Sequence, residues 1–326
     1  MGSTLQVGLT PEQHAMRRTG IGASEIGAVL GLDRYKTPLD VWAEKTGLVT
    51  PDWSPKSQAA KMGHLLEPVV SQLAEEHYAE QALIVSLVQG ETMRHPTHEW
   101  MLATPDRFVN CTSGDRWLLE MKTKSWHTFK GFGVEGTDQV PDTILLQALW
   151  QMAAAEQTRC DIAVLVDGRE FAMFTSLRDD ALLADVQSRV YDFWTRYVLT
   201  GVEPPVTSGS DAEFLKAKFR EPTADLMRPS DEAERLIGAL AAAREDRKQA
   251  EAVEELAKAH AMALLGGYKG VHTTHGKVSW NSVKGRASTD WKAVAAVAGV
   301  PQSLIEQHTT IGAPSRQFRF TPSRGE

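Results

Sequence analysis

The chain has 326 residues, 42% of them hydrophobic, and a formal net charge of −7. At roughly 100–200 residues per domain this is one large domain or two modest ones, with enough apolar content to build a core and to argue against global disorder. The acidic balance argues against a protein that coats nucleic acid through an overall basic surface. Two cysteines, Cys111 and Cys160, can supply neither a disulfide framework nor a four-thiolate metal site, and read as reduced buried thiols. Met1 to Thr10 shows no basic region followed by an apolar run, and nothing approaches the roughly 18–20 apolar residues of a membrane span. A cytoplasmic protein without membrane contact is expected. The charge is uneven: residues 266–326 carry eight Lys/Arg against three acids, a net +5, which leaves −12 on residues 1–265.

In chain order, Ile26–Leu30 reads as a short helix with Ser24 as its N-cap. A second helix starts at Thr37-Pro38, with the proline at an early helical position, and ends at Gly47. Pro51–Ser57 is a loop, and Gln58 to about Glu80 is a long helix with Leu65, Leu66, Val69, Val70 and Leu73 at helical spacing. The period then changes. Leu83–Val88, Trp100–Val109 and Arg116–Lys122 read as strands. Trp126–Pro141 is a glycine-containing connection, and Thr143–Glu156 is a helix. Strands at Ile162–Val166 and Glu170–Thr175 are joined by Asp167-Gly168, a tight-hairpin signal. Leu182–Leu199 is an amphipathic helix. The Pro/Gly/Ser-rich stretch 201–210 marks a soft boundary. Beyond it lie an Ala/Glu/Arg/Lys-rich helix, Asp231–Leu265, and a basic tail with strand-like pieces at Lys277–Trp280 and Gln317–Phe320 around a short helix, Trp291–Ala298. This order predicts an α/β layered core.

The residues able to carry chemistry begin with Leu118-Leu119-Glu120-Met121-Lys122. On a strand, Glu120 and Lys122 share one face. A carboxylate beside an ammonium suits metal-assisted hydrolysis: the first holds a divalent cation, the second orients water and offsets phosphate charge. Alone, Glu-x-Lys also describes a solvated ion pair. Asp106 precedes Glu120 by 14 positions, enough for a hairpin that brings both carboxylates to one cation. Glu67 lies mid-helix before Pro68. Gln147 and Gln151 lie one turn apart on one helical face. Arg17 precedes Ser24 by seven positions across Gly20-Ile21-Gly22-Ala23; arginine and a serine near a helix start both suit phosphate, though Ser24 is also a plain N-cap. The tryptophans, Trp42, Trp150 and Trp194 among them, read as core, while Trp53 and Trp126 fall in loops where an indole could stack on an unpaired base. The histidines show no zinc-ligand spacing, and no phosphate-loop motif is present.

Taken together, and in this order, Arg17, Gly20-Ile21-Gly22-Ala23-Ser24-Glu25-Ile26, Tyr35-Lys36-Thr37-Pro38, Trp42-Ala43-Glu44-Lys45-Thr46-Gly47, Gly63-x-x-x-Glu67-Pro68, Thr104-Pro105-Asp106, Glu120-x-Lys122 and Gln147 resemble the lambda exonuclease family, the YqaJ-type viral recombinases of the PD-(D/E)xK nuclease superfamily. The resemblance spans about residues 17–200. It implies a restriction-endonuclease-like α/β core with a central mixed sheet flanked by helices over residues 1–200, followed by a helical arm and basic extension over 201–326. It further implies that Glu67, Asp106, Glu120 and the Met121 carbonyl bind one or two Mg²⁺ or Mn²⁺ ions. Lys122 would position or deprotonate the attacking water, Gln147 would orient it, and Arg17 and Ser24 would hold a terminal 5′ phosphate. Two positions depart from the family pattern: Ile144 stands where the family often has tyrosine, and Leu149 where it often has a second glutamine, a place Gln151 partly fills.

The expected activity is a metal-dependent exonuclease that resects the 5′ strand of duplex DNA ends and leaves 3′ tails for a single-strand annealing protein in phage-type recombination. The resemblance implies a ring-shaped homotrimer. The rival readings are an endonuclease or repair nuclease of the same fold without end selectivity, and a catalytically silent DNA-binding adaptor.

Overall fold

A computed structural model describes residues 15–49, 58–222, 226–282, 284–285 and 288–310. The expected loop at 51–57 with Trp53, the strand-like piece at 317–320, and the four arginines of the basic tail lie outside these residues. The chain divides into two units after Lys218.

The first unit is built on a five-stranded mixed sheet. Its strands are β2 (Val85–Gln89), β5 (Arg107–Cys111), β6 (Arg116–Lys124), β7 (Arg159–Val166) and β8 (Glu170–Leu177), in the order β2-β5-β6-β7-β8. Only β6 and β7 run parallel; the other neighbours are antiparallel. A second, small sheet joins β1 (Ile21–Gly22), β4 (Met101–Ala103) and β3 (Met93–Arg94) in the order β1-β4-β3.

The central strand β6 shows why the site lies where it does. Its odd-numbered residues Trp117, Leu119 and Met121 pack into one cluster with Val70, Ala74 and Tyr78. These last three lie on the long helix α3 (Gln58–Glu80), which follows α1 (Ile26–Val29) and α2 (Pro38–Lys45). Leu118 on the opposite face packs into a second cluster with the helix Asp142–Ala154 and the α1–α2 segment. A period-two strand buried on both faces therefore places Glu120 and Lys122 toward the Asp142–Ala154 side. That helix is α5, since a short turn of helix, α4 (Trp126–Phe129), lies within the glycine-containing connection.

The expected single strand Trp100–Val109 is two strands, β4 and β5, in different sheets. Pro105 carries no N–H and cannot continue a ladder, so the apolar run breaks at Thr104-Pro105-Asp106. The Asp167-Gly168 turn closes the β7–β8 hairpin with both residues at positive φ, 48° and 69°, as a type I′ turn requires. Thr37 caps α2 by accepting from the Asp40 N–H, with Pro38 next in the helix. Ser24 does not cap α1. It lies in a 3₁₀ turn, Ala23–Glu25, and no side-chain cap bond forms there.

The first unit extends beyond the composition break at 201–210. After α6 (Asp180–Phe193) and a π-helical turn to Val198, helix α7 (Asp211–Lys218) sets Phe214 edge-on to Trp42, 6.4 Å between ring centroids. The second unit contains α8 (Asp231–Leu265), a hairpin of β9 (Gly270–Thr273) and β10 (Gly276–Ser279), and two short helices, α9 (Trp291–Val297) and α10 (Gln302–Gln307). Ser230 caps α8 by accepting from the Ala233 N–H, and Gly266 ends it at a φ of 52°. Both cysteines are free thiols: Cys160 is buried, while Cys111 is only partly so. Among the described residues no helix is long and apolar enough to cross a membrane.

Candidate active site

Glu120 is the hub. Its carboxylate is 1% exposed, and an ionised group so placed needs partners on both oxygens. Oε1 accepts from Lys122 Nζ at 2.5 Å and from Gln147 Nε2 at 2.6 Å. Oε2 accepts from Gln151 Nε2 at 2.8 Å. Lys122 also donates to Gln147 Oε1 at 3.2 Å, which closes a ring of three side chains. Period two on β6 aligns Glu120 with Lys122, and the one-turn spacing on α5 aligns Gln147 with Gln151.

Asp106 enters from the break between β4 and β5. The β5–β6 ladder ends at Arg107 opposite Leu119, so the Met121 N–H lies beyond it. The Asp106 carboxylate takes that N–H at 2.7 Å and continues the pairing with a side chain. Gly90 makes this path possible: its N–H donates to the Asp106 carbonyl at 3.3 Å, and a Cβ there would lie 2.0 Å from the Pro105 oxygen. Burial, with the Glu120 carboxylate beside it, pushes the Asp106 carboxyl up to about 8, against the pull of Lys122 and the Met121 N–H; Glu67 adds to the push. Burial alone would lower the Lys122 ammonium. The Glu120 and Asp106 carboxylates outweigh it and hold that ammonium above the usual lysine range.

Glu67 stands on α3, whose Gly63 lies near the Thr123 hydroxyl at the end of β6. Its carboxylate meets His64 Nδ1 at 3.0 Å and is 43% exposed. Glu67 thus acts on Asp106 through the field but is turned to a neighbour on its own helix. Among the described residues no three His, Cys, Asp or Glu side chains are gathered around one point. The donor types nonetheless suit a hard divalent cation: the Asp106 and Glu120 carboxylates, with Glu67 and the Met121 carbonyl nearby. A cation held there would offset both the burial and the Glu120 repulsion that raise the Asp106 carboxyl.

Arg17 and Ser24 are brought together, with Arg17 Nη2 donating to Ser24 Oγ at 2.6 Å. The turn that carries Ser24 is held by a group the sequence reading gave no role, Glu25. This residue is 3% exposed, accepts from the Gly22 N–H at 2.8 Å, and pairs with Lys45 at 2.7 Å and Lys36 at 3.8 Å. Burial pushes the Glu25 carboxyl up, but Lys45, Lys36 and Arg17 together hold it below the usual carboxylate range. Lys45 in turn donates to the Arg17 carbonyl at 2.5 Å. Glu25 and Lys45 both stand in the quoted motifs, which was the available signal. Helix α1, which follows the turn directly, meets α5 closely: a Cβ on Gly27 would come within 2.9 Å of the Thr143 side chain. Helix α5 therefore packs at its first residues on α1, which continues the Arg17–Ser24 turn, and reaches Glu120 further along. Ile144 and Leu149, the two departures from the family pattern, are core residues at 4% and 2% exposure.

Residues 12–158 match the YqaJ-like viral recombinase domain. The uncharacterized YqaJ protein of Bacillus subtilis is 32% identical over 208 residues, which cover 63% of this chain and 62% of that protein. The chain thus spans less than two thirds of that relative's length. An alkaline exonuclease from Laribacter hongkongensis is similar in structure at a TM-score of 0.45 and 22% identity, covering 64% of this chain and 97% of that one. A phage-related exonuclease from Haemophilus somnus is similar at a TM-score of 0.42 and 14% identity, covering 58% and 98%.

Proposed function

We propose, for a chain whose residues 12–158 carry a YqaJ-like viral recombinase domain, that it is a divalent-metal-dependent deoxyribonuclease acting on duplex ends. In this reading it removes the 5′-phosphorylated strand and leaves 3′ single-stranded tails. The observation that carries it is the interlock of Glu120 with Lys122 and Gln147, with Asp106 on the adjoining Met121 N–H.

Asp106, Glu120, Glu67 and the Met121 carbonyl would hold one or two Mg²⁺ or Mn²⁺ ions. Such ions polarise a phosphoryl oxygen and make a bound water more acidic. The chain's own groups supply the rest. Lys122, which donates to both Glu120 and Gln147, would position or deprotonate the attacking water and offset phosphate charge. Gln147 fixes Lys122 and Glu120 relative to each other. Arg17 and Ser24, braced by Glu25 and Lys45, would take the terminal phosphate. The same reading takes a single-strand annealing protein as partner, a homo-oligomer such as a trimer as the working state, and the cytoplasm as the place of action.

The test uses linear duplexes end-labelled with and without a 5′ phosphate, alongside closed circular DNA, with Mg²⁺ and with chelator. Loss of the phosphorylated linear strand alone, and only with Mg²⁺, is the expected result. Loss of circular DNA would replace the reading by an endonuclease, and no loss of any substrate by a DNA-binding adaptor.

A further inference from the structure

We propose that Trp126 is a stacking platform for an unpaired nucleobase, on a basic lip next to the Glu120–Lys122 site. The proposal deepens the nuclease reading and rests on it for the identity of the polymer.

The placement follows from how β6 ends. The Asp167 N–H donates to the Lys124 carbonyl at 2.8 Å, and the Asp167 carboxylate accepts from the Trp126 N–H at 3.1 Å. Ser125 caps the turn that follows by accepting from the Thr128 N–H. The backbone at Trp126 is thereby fixed from both sides. The ring is backed by Phe129, with centroids 6.2 Å apart and planes 35° from parallel. Phe129 stacks on Phe132 at 5.1 Å, and both meet the buried Phe174. An aromatic ladder thus runs from the core to an indole that is 52% exposed, whereas Trp42, Trp117, Trp150 and Trp194 are all under 9% exposed. Folding gains little from an indole left in water, so a ring held this firmly and left open suits a flat ligand.

The charge around it names the ligand. Lys122 and Lys124 alternate on β6, and burial together with the Lys122 charge holds the Lys124 ammonium below the usual lysine range. Lys130 closes the Trp126–Phe129 turn, and Arg169 stands exposed in the β7–β8 hairpin. The hairpin's Asp167 is engaged by the Trp126 N–H; Glu170 follows at the start of β8. Exposed cations on the elements that carry and adjoin an open aromatic ring suit a phosphate backbone with a base on the ring. A duplex hides its base faces except at the end, so the base that stacks here is unpaired.

The test needs no cleavage. Single-stranded oligonucleotides carrying 2-aminopurine at each of the first three positions are titrated with the full-length protein in chelator. The parent should quench the probe at one or more positions. Trp126→Ala should abolish the quench and weaken binding about 10-fold or more, and Trp126→Phe should restore most of both. Equal quench and affinity for Trp126→Ala and the parent, at equal melting temperature, overturns the proposal, as does absence of quench with the parent. Trp126-dependent quenching without digestion of phosphorylated duplexes in Mg²⁺ would leave the stacking site standing and remove the nuclease reading. Digestion with no Trp126 dependence of the quench would do the reverse.

Discussion

The Gln151 amide donates to Oε2 of Glu120 at 2.8 Å, and both residues are 1% exposed. Gln147 satisfies the other oxygen from one turn earlier on the same helix. Among the described residues, Gln151 therefore supplies the amide on the side of Glu120 that Lys122 does not reach. Replacing it with leucine leaves a buried carboxylate oxygen without its donor, at a cost of about 1–3 kcal/mol. The Gln151→Leu protein should melt lower and, on linear duplex DNA, lose kcat by about 10-fold or more with KM nearly unchanged, because the amide positions Glu120 and does not touch DNA. A rise in KM at constant kcat would place Gln151 against the substrate instead.

Arg17 donates to Ser24 Oγ at 2.6 Å. Arg17→Ala should remove the preference for 5′-phosphorylated over 5′-hydroxyl ends while leaving slow digestion of both. Competition between the two labelled ends in one reaction reads this directly. An undiminished preference would assign the terminal phosphate to other residues.

Lys45 and Glu25 form a nearly buried pair at 2.7 Å, with side chains 3% and 4% exposed. Lys45→Met leaves the Glu25 carboxylate with the longer Lys36 contact and the Gly22 N–H, so the loss should fall at or below the roughly 3–5 kcal/mol of a buried pair broken from one side. The double change Lys45→Met with Glu25→Gln should recover a large part of that loss in a denaturant titration. The recovered protein should still discriminate poorly between phosphorylated and unphosphorylated ends, since Lys45 also holds the Arg17 carbonyl.

The pH dependence of stability follows from Asp106. Its carboxyl is raised from 3.8 to about 8 in the folded protein. Between these values the folded state holds a proton that the unfolded state has lost, so this group's contribution to stability falls as pH rises across that window. In chelator, Asp106→Asn should melt above the parent at pH 8.5 by at least about 2 °C, and the gap should close toward pH 4. Added Mg²⁺ should raise the parent's melting temperature at pH 8.5 and leave Asp106→Asn unmoved. Equal responses of the two proteins to Mg²⁺ would take Asp106 out of the proposed ligand set.

Much of this site was legible before any coordinates. The alternation through Leu118-Leu119-Glu120-Met121-Lys122 predicts one polar face, and the structure places Glu120 and Lys122 there. The bounds of Gln58–Glu80 and Asp231–Leu265 also match the helices seen. The run Trp100–Val109 misleads because apolar periodicity does not reveal that its halves join different sheets; Pro105 was the signal. Ser24 reads as a cap by residue type, but a tertiary partner, Arg17, takes its hydroxyl. Glu25 gained no role because its partners Lys36 and Lys45 lie 11 and 20 positions away, and local pattern carries no information about such pairing.

In the proposed function the Glu120 cluster hydrolyses DNA ends. The most direct measurement is the initial rate of digestion of a 5′-phosphorylated linear duplex in Mg²⁺ by the parent and by Glu120→Ala, with duplex binding measured on the same samples in chelator. Removing a group that stabilises transition-state charge should lower the rate by about 10²-fold or more while binding persists. A Glu120→Ala protein that digests the duplex as fast as the parent would remove Glu120 from the proposed active site.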